Sequence, residues 1–329
     1  MTPSAVIQVK SGIGDVIWHL PFVRAIAARS PGGKVTFLAP PSSGAKELLA
    51  AEPAIAETIY FEHGGSELRR AINLIRLVAL FRRHRFRTLW ILDRTTRPAG
   101  AAMLAGIPER IGLGLGAQRL FITSRGIDVS HAHDHPIDWL RALMAAQQVP
   151  LPSTEPDLRV RSDLLASIGE SFRDRQRPWI VLGIGASVPD RDWPDDHWTE
   201  FLAGLRRRAA GTIFLIGGTR NMARAQMFIA QTAGTPAVNA CDLKLAEALA
   251  LLRHADLFVG TDSGPMNLAA AVATPAFGMF GVNRVLGYSK YIRPIVPAGG
   301  PAPDGMRRIS PAQVLERVEP HLADRKEQG

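Results

Sequence analysis

The chain has 329 residues and one cysteine, Cys241. A lone thiol forms no intrachain disulfide and no Cys-cluster zinc site. No activating residue stands near it in sequence, so Cys241 reads as a small packed side chain and not as a nucleophile. No apolar run approaches the roughly 20 residues that span a bilayer. The opening MTPSAVIQVK lacks the charged and long apolar segments of a signal peptide, because Val6 to Val9 already look like a first strand. A cytoplasmic protein is expected. Repeats of short period are absent, and no Asp-x-Asp pair follows a predicted strand, so neither a metal site nor a resident cofactor is expected. The arginines carry no aromatic interleaving and no nucleic-acid motif, which argues against nucleic acid as a partner.

The composition is 46% hydrophobic and 21% charged, that of a globular chain. Its length suits two domains, each with its own core. A net charge of +9 and a pI near 10.4 call for an anionic partner. Part of that charge is concentrated in Glu67 to Arg87, which holds Arg69, Arg70, Arg76, Arg82, Arg83, Arg85 and Arg87. One reading is a basic amphipathic helix resting on an anionic membrane surface. The plainer reading, which leads, packs the helix on a sheet through Leu68, Ile72, Ile75 and Val78 and leaves a solvated basic edge.

Strand-like and helix-like segments alternate along the chain. In the first half Val6–Lys10, Val35–Leu38, Thr58–Phe61 and Thr88–Leu92 read as strands, with helices at Asp15–Ala28, Gly44–Ala51 and Glu67–Arg83. Pro21 is expected to kink or shorten the first of these helices. A polar, proline-bearing interval at Val149–Pro156, with another break at Arg173–Pro178, marks a linker. The rhythm restarts with strands at Trp179–Gly183, Thr212–Ile216, Ala237–Asn239, Leu257–Val259 and Ala276–Phe280. Helices at Asp196–Ala209, Ala223–Ala233, Leu245–His254 and Met266–Val272 separate them. The pattern predicts an α/β protein of two Rossmann-like domains facing across a cleft, 1–155 and 156–329, with room for the last helix to pack back on the first.

In such sheets ligands gather at the carboxyl ends of the strands. After the first strand comes Lys10-Ser11-Gly12-Ile13-Gly14-Asp15, where Asp15 is either a helix N-cap, the commoner role, or a carboxylate able to take a proton from an acceptor hydroxyl. In the second half Gly185, Ala186 and Ser187 are small enough for a ligand to reach the backbone. Arg191 offers a fixed charge for a diphosphate, or pairs with Asp190 or Asp192 as an ordinary loop arginine. Gly217 and Gly218 open a third loop on the same rim. Thr261-Asp262-Ser263-Gly264-Pro265-Met266-Asn267 reads as a strand end feeding a helix N-terminus, whose free N–H groups and dipole suit a phosphate. Trp193 and Trp198 are most simply packing residues. The trio His131, His133 and His135 reads as a polar loop entering a helix at Ile137–Ala146, in preference to a metal site.

Gly14-Asp15-Val16-Ile17 with Leu20-Pro21 and Arg24, Gly185-Ala186 with Arg191, Trp193-Pro194, and Thr261 to Met266 with Ala269 to Ala271, Thr274-Pro275 and Phe280-Gly281 occur in one order and spacing. In these features the chain resembles glycosyltransferase family 9, the lipopolysaccharide heptosyltransferases, over essentially its whole length. The resemblance implies a GT-B fold whose C-terminal domain holds a nucleotide-diphosphate sugar and whose N-terminal domain presents the acceptor. It implies an inverting, metal-independent transfer with Asp15 as base. The donor would lie on Gly185, Ala186, Ser187, Arg191, Gly217, Gly218 and Thr261 to Asn267, and the acceptor on the first domain near Lys10 and Gly14. Asp93, Arg94 and Arg97, just after a predicted strand end, read as further acceptor contacts or as an ordinary exposed loop. The chain departs from the family pattern in three places: Asn267 stands where histidine is usual, and the loop after Gly218 has Thr219-Arg220-Asn221-Met222 where a glutamate is common. Arg191 replaces the usual lysine. The function expected is transfer of a heptose from ADP-heptose to a lipopolysaccharide core or related anionic glycolipid, at the inner face of the cytoplasmic membrane. The alternatives are a nucleotide-sugar epimerase of similar fold and a non-catalytic nucleotide-sugar-binding protein.

Overall fold

Segments such as Trp179–Gly183 and Leu257–Thr261 are apolar at nearly every position, the pattern of a parallel strand buried on both faces, and both are buried throughout. The computed structural model describes residues 3–186, 188–208, 211–231, 236–285 and 287–326. The chain divides into two units, Met1–Leu158 and Arg159–Gly329.

In the first unit the elements run β1 (Ser4–Ile7), α1 (Ile13–Ala28), β2 (Val35–Ala39), α2 (Ala45–Leu48), β3 (Ile55–Tyr60), α3 (Glu67–His84), β4 (Thr88–Ile91), α4 (Arg97–Leu104), β5 (Glu109–Gly112) and α5 (Pro136–Ala146). The sheet order is β3-β2-β1-β4-β5 and every pairing is parallel. Ile7, Leu38, Leu89, Ile91 and Phe81 belong to its core.

The second unit runs α6 (Ser162–Ser171), β6 (Trp179–Gly183), α7 (Asp195–Arg208), β7 (Thr212–Ile216), α8 (Met222–Gln231), β8 (Ala237–Asn239), α9 (Leu245–His254), β9 (Leu257–Thr261), α10 (Gly264–Ala271), β10 (Ala276–Met279), β11 (Ile292–Ile295), α11 (Gly305–Arg308) and α12 (Pro311–Lys326). Its parallel sheet is ordered β8-β7-β6-β9-β10-β11, the doubly wound Rossmann order. Trp193 and Trp198 are fully buried in its core, as packing residues. The Trp193 indole N–H donates to the Ile309 carbonyl at 2.9 Å. The final helix α12 packs on α7 within the same unit, where a Cβ on Gly204 would stand 2.4 Å from Leu315 Cδ1. Each sheet reverses its direction of growth once, between β1 and β4 and between β6 and β9. Loops leaving those neighbouring strands diverge and leave a crevice at their carboxyl ends.

Several expectations are corrected. Pro21 does not shorten α1, which continues to Ala28 with most of its residues buried. The helix expected at Gly44–Ala51 is a single turn, Ala45–Leu48. In α3 the side facing the sheet carries Leu74, Leu77, Val78 and Phe81. Leu68 and Ile75 instead point to solvent, 72% and 68% exposed, and Ile72 is exposed too. The arc that meets the sheet is rotated from the one the Leu68 spacing suggests, so α3 has two apolar faces and only one is covered within its unit. Edge strands β5 and β11 and helices α4, α6 and α11 are additional to the sequence reading, and the expected last helix, α12, packs on α7 of its own unit. In the two edge strands Glu109, Arg293 and Pro294 break the apolar run that identifies central strands, and proline in a sheet is confined to edges and bulges.

Candidate active site

At the β6/β9 switch of the second unit, Thr261 ends β9 and Ser263 is the extended N-cap residue of α10. The Ser263 hydroxyl donates to the Thr261 carbonyl at 3.1 Å and gives no cap to the helix. Pro265 has no N–H. The backbone N–H groups of Gly264 and Met266 in the first turn therefore lack intrahelical partners, at the positive end of the helix dipole.

Asp262 beside them is largely buried, and its Oδ2 accepts from Asn283 Nδ2 at 2.8 Å. Arg191, at the end of the 3-10 turn Pro189–Arg191 that follows β6, places Nη1 3.8 Å from that same oxygen. The acidic neighbour of Arg191 is thus Asp262 and neither Asp190 nor Asp192. Asp192 is held by Arg224 at 2.7 Å, and Arg224 also pairs with Asp195.

The other glycine loops of this unit are locked to one another. Gly185 has φ of +102°, and a Cβ there would lie 2.9 Å from Asn221 Oδ1; a Cβ on Gly217 would lie 2.4 Å from the Ile184 carbonyl oxygen. Asn221 donates to the Gly217 carbonyl at 2.6 Å and Arg220 to the Ala186 carbonyl at 3.0 Å. The Thr219-Arg220-Asn221 departure is thereby a clasp between two loops. Gly218, with φ of +76°, has open space where a Cβ would point. Ser187 lies outside the described residues. Met266 is buried against Gly278. Asn267 is buried as well: its Nδ2 donates to the Ser263 carbonyl at 2.8 Å and its Oδ1 accepts from the Tyr288 hydroxyl.

At the β1/β4 switch of the first unit, α1 begins earlier than expected. Gly12 is its N-cap residue and Asp15 is the third residue of the first turn. The Asp15 carboxylate reaches back, with Oδ2 accepting from the Gly12 N–H at 3.2 Å and Oδ1 3.8 Å from Lys10 Nζ. Asp15 thus supports the helix start without being its N-cap. Burial raises its pKa, and Lys10 and the Gly12 N–H oppose that rise. One turn on, His19 is buried, its Nδ1–H donating to the Asp15 carbonyl. Burial pushes His19 down to about 4, so it is neutral at neutral pH. Trp18 stacks on the His19 ring at 4.5 Å, with Lys10 Nζ 5.4 Å from the Trp18 centroid.

The residues expected on the acceptor side fall into separate places. Asp93 is buried, its Oδ2 accepting from the Val9 N–H at 2.8 Å and its Oδ1 from the Thr95 N–H at 2.8 Å and the Thr95 hydroxyl. It fixes the loops around it, together with Gln118, which donates to the Asp93 carbonyl at 2.8 Å. Lys10, Gly14 and Asp15 share the start of α1. Arg94 lies over Trp139, 5.5 Å from its centroid. Arg97 lines a cavity of about 390 Å³ with Arg70, Val9, Phe61, Leu74 and Leu77.

A sequence model of glycosyltransferase family 9 (heptosyltransferase) matches residues 80–293. The chain belongs to glycosyltransferase family 9. Lipopolysaccharide heptosyltransferase 2 of Salmonella typhimurium is 26% identical over 293 residues, covering 82% of this chain and 80% of that protein. Among solved structures, E. coli ADP-heptose lipopolysaccharide heptosyltransferase II matches with a TM-score of 0.78 and 23% identity, over 99% of this chain and 100% of that one. An E. coli heptosyltransferase with ADP-2-deoxy-2-fluoro heptose matches with a TM-score of 0.72 and 17% identity, over 97% and 99%. These likenesses establish the GT-B fold for this family 9 glycosyltransferase.

The sequence reading missed His19, Asn283 and Tyr288. His19 follows Asp15 by four residues and so lies on the same helix face, a spacing visible in the sequence. Asn283 belongs to the loop after β10, where the strand-end rule directs attention. Tyr288 comes from an irregular segment and carried no signal. His131 and His133 lie in a short 3-10 turn, Val129–His133, with His131 bound to Asp134 at 2.7 Å and the His135 ring capping α5. Cys241 is buried, and desolvation pushes its thiol up to about 11, so it is a packing residue.

Proposed function

We propose that this protein transfers a heptose from ADP-heptose to a lipopolysaccharide core or a related anionic glycolipid, by an inverting and metal-independent displacement at the inner face of the cytoplasmic membrane. The observation that carries the reading is Arg191 beside the uncapped start of α10, at the switch point of a family 9 Rossmann unit. The names of the heptosyltransferase relatives supply the donor and the acceptor.

The donor diphosphate occupies the turn Asp262-Ser263-Gly264, accepting hydrogen bonds from backbone N–H groups and facing the positive end of α10. It competes with Asp262 for the Arg191 guanidinium, which gives two directed hydrogen bonds where a lysine gives a point charge. Gly218, whose Cβ direction is open, and the small Ala186 allow close backbone approach by the nucleotide, whereas Gly185 and Gly217 let their loops seat against Asn221 and Ile184; Asn267 with Met266 holds the turn in place from behind. Lys10, Gly14, Arg94 and Arg97 face the acceptor, while Asp93 keeps their loops in register.

In the transfer step Asp15 accepts the proton of the acceptor hydroxyl as its oxygen bonds to the anomeric carbon. The bond from that carbon to the diphosphate oxygen breaks in the same displacement and inverts the centre. Charge on the departing ADP is met by Arg191 and the helix N-terminus, which supply the stabilisation that a divalent cation gives elsewhere. Lys10 and the Gly12 N–H counter the effect of burial on Asp15, keeping its charged form accessible while leaving it more basic than a solvated carboxylate.

A thermal-shift panel of ADP, GDP, UDP and dTDP tests the donor assignment, since ligand bound to the native state alone raises apparent stability. ADP is expected to raise the melting temperature, with the shift lost in Arg191→Ala. A shift by a different nucleotide alone would assign another donor base, and an ADP shift unchanged in Arg191→Ala would remove Arg191 from the site.

A further inference from the structure

Helix α3 meets the sheet through Leu77 and Phe81, which are buried. Its opposite side carries Leu68, Ile72, Ile75 and Ala79, all exposed. Their spacing of four, three and four residues puts them on one line along the helix. Arg69, Arg76 and Arg83, spaced by sevens and also exposed, run beside that line on one flank. Among the described residues none of these three has a carboxylate within salt-bridge distance.

On the other flank Arg82 donates to the Leu104 carbonyl at 2.9 Å. This ties the end of α4 to the same side of α3, where Met103 and Leu104 are exposed at 43% and 53%. Scattered exposed apolar residues need no explanation. Five large ones on an adjoining helix pair, aligned and edged by unpaired arginines, form a patch.

We propose that the exposed face of α3, extended by the end of α4, is a docking surface for an anionic phospholipid bilayer. A helix of 18 residues is about 27 Å long, and lying flat it buries its apolar line at the level of the acyl chains while the arginines meet the lipid phosphates. The helix is well enough formed to serve this way. Ser66 caps it by accepting from the Arg69 N–H, and Glu67 is its one acidic residue. That charge also argues against a second copy of the chain as occupant, because a symmetric contact would place arginine rows against one another. The proposal deepens the acceptor side of the function above and rests on that reading for the setting of the membrane. Vesicle binding, however, is scored without donor or acceptor, so either idea can fail without the other.

The test is co-sedimentation of the full chain with vesicles of equal parts phosphatidylglycerol and phosphatidylethanolamine, against phosphatidylcholine alone. The wild type should bind the anionic vesicles and lose binding as salt is raised. The variant R69Q/R76Q/R83Q should weaken the partition coefficient by about 100-fold, at about fivefold per charge. The variant L68Q/I72Q/I75Q should weaken it by at least about tenfold. Both should keep the wild-type circular dichroism and melting temperature, and their turnover of a water-soluble core oligosaccharide acceptor. Binding of both variants equal to wild type, or a wild type that ignores anionic vesicles, would overturn the proposal. So would a concentration-dependent dimer that L68Q/I72Q/I75Q abolishes, since the face would then be an interface between copies.

Discussion

Asp15 illustrates how one side chain supports a helix start while serving the reaction proposed for it. Its Oδ2 satisfies the N–H of Gly12, an unpaired donor at the helix start, while Oδ1 faces Lys10. The sequence offers these as rival roles, cap or base, whereas the third position of the first turn accommodates both. Asn267 shows the reverse. Its sequence position suggests a donor contact, but its amide is engaged by Ser263 and Tyr288. Because Tyr288 comes from a distant irregular segment, no local pattern announces that engagement.

The neutral, buried His19 gives a prediction at this scale. Its folded pKa of about 4 lies below its ordinary value of 6.5. Between those values the unfolded chain binds a proton that the native chain excludes. Its contribution is therefore complete above about pH 6.5 and declines as the pH falls toward 4, by roughly 3 kcal/mol over the window. Urea titrations across that range should show the decline in wild type and a shallower one in His19→Gln. Equal slopes would mean that His19 takes its proton in the folded protein.

At the scale of elements, close backbone approaches set the geometry of the site-bearing loops. Gly281 follows β10 in the segment that also holds Asn283, and α11 is pressed against it. A Cβ on Gly305 would lie 1.8 Å from the Gly281 carbonyl oxygen, and a Cβ on Gly281 would lie 2.4 Å from the Met306 nitrogen. Backbone atoms cannot rotate away as a side chain can. Gly305→Ala should therefore destabilise the protein by about 1–3 kcal/mol or more, measurable as a lowered melting temperature. A variant with unchanged stability would show that α11 shifts freely from β10.

The central strands were legible because both of their faces are buried, which makes them continuous apolar runs: β6 and β7 begin and end as the pattern predicts. Edge strand β11 reads Ile-Arg-Pro-Ile and escapes that pattern. Helix α3 was legible as a helix, yet its orientation was not. A sequence with two apolar lines does not say which one meets the sheet, and here Leu77 and Phe81 do.

At the scale of the whole molecule, two Rossmann units place their chemistry-bearing loops by one rule. The strand orders turn at β1/β4 and β6/β9, and the residues that carry the proposed function cluster after those strands. The order of motifs along the chain was enough to indicate the family, since strand-end loops in a doubly wound sheet occur at regular intervals. Contacts such as Arg191 with Asp262 and Arg220 with Ala186 join distant loops, so only the folded chain shows them. The surplus of positive charge likewise takes on meaning in three dimensions, as a row of arginines beside an apolar line.

The proposal that Asp15 is the base of an inverting transfer depends on one carboxylate, and Asp15→Asn replaces it with a near-isosteric amide. The decisive measurement is single-turnover formation of glycolipid product from ADP-heptose and a lipopolysaccharide core acceptor, run beside calorimetric titration with ADP. The account predicts product formation in wild type, a loss of about 100-fold or more in Asp15→Asn, and unchanged ADP affinity. Transfer by Asp15→Asn at the wild-type rate would contradict it.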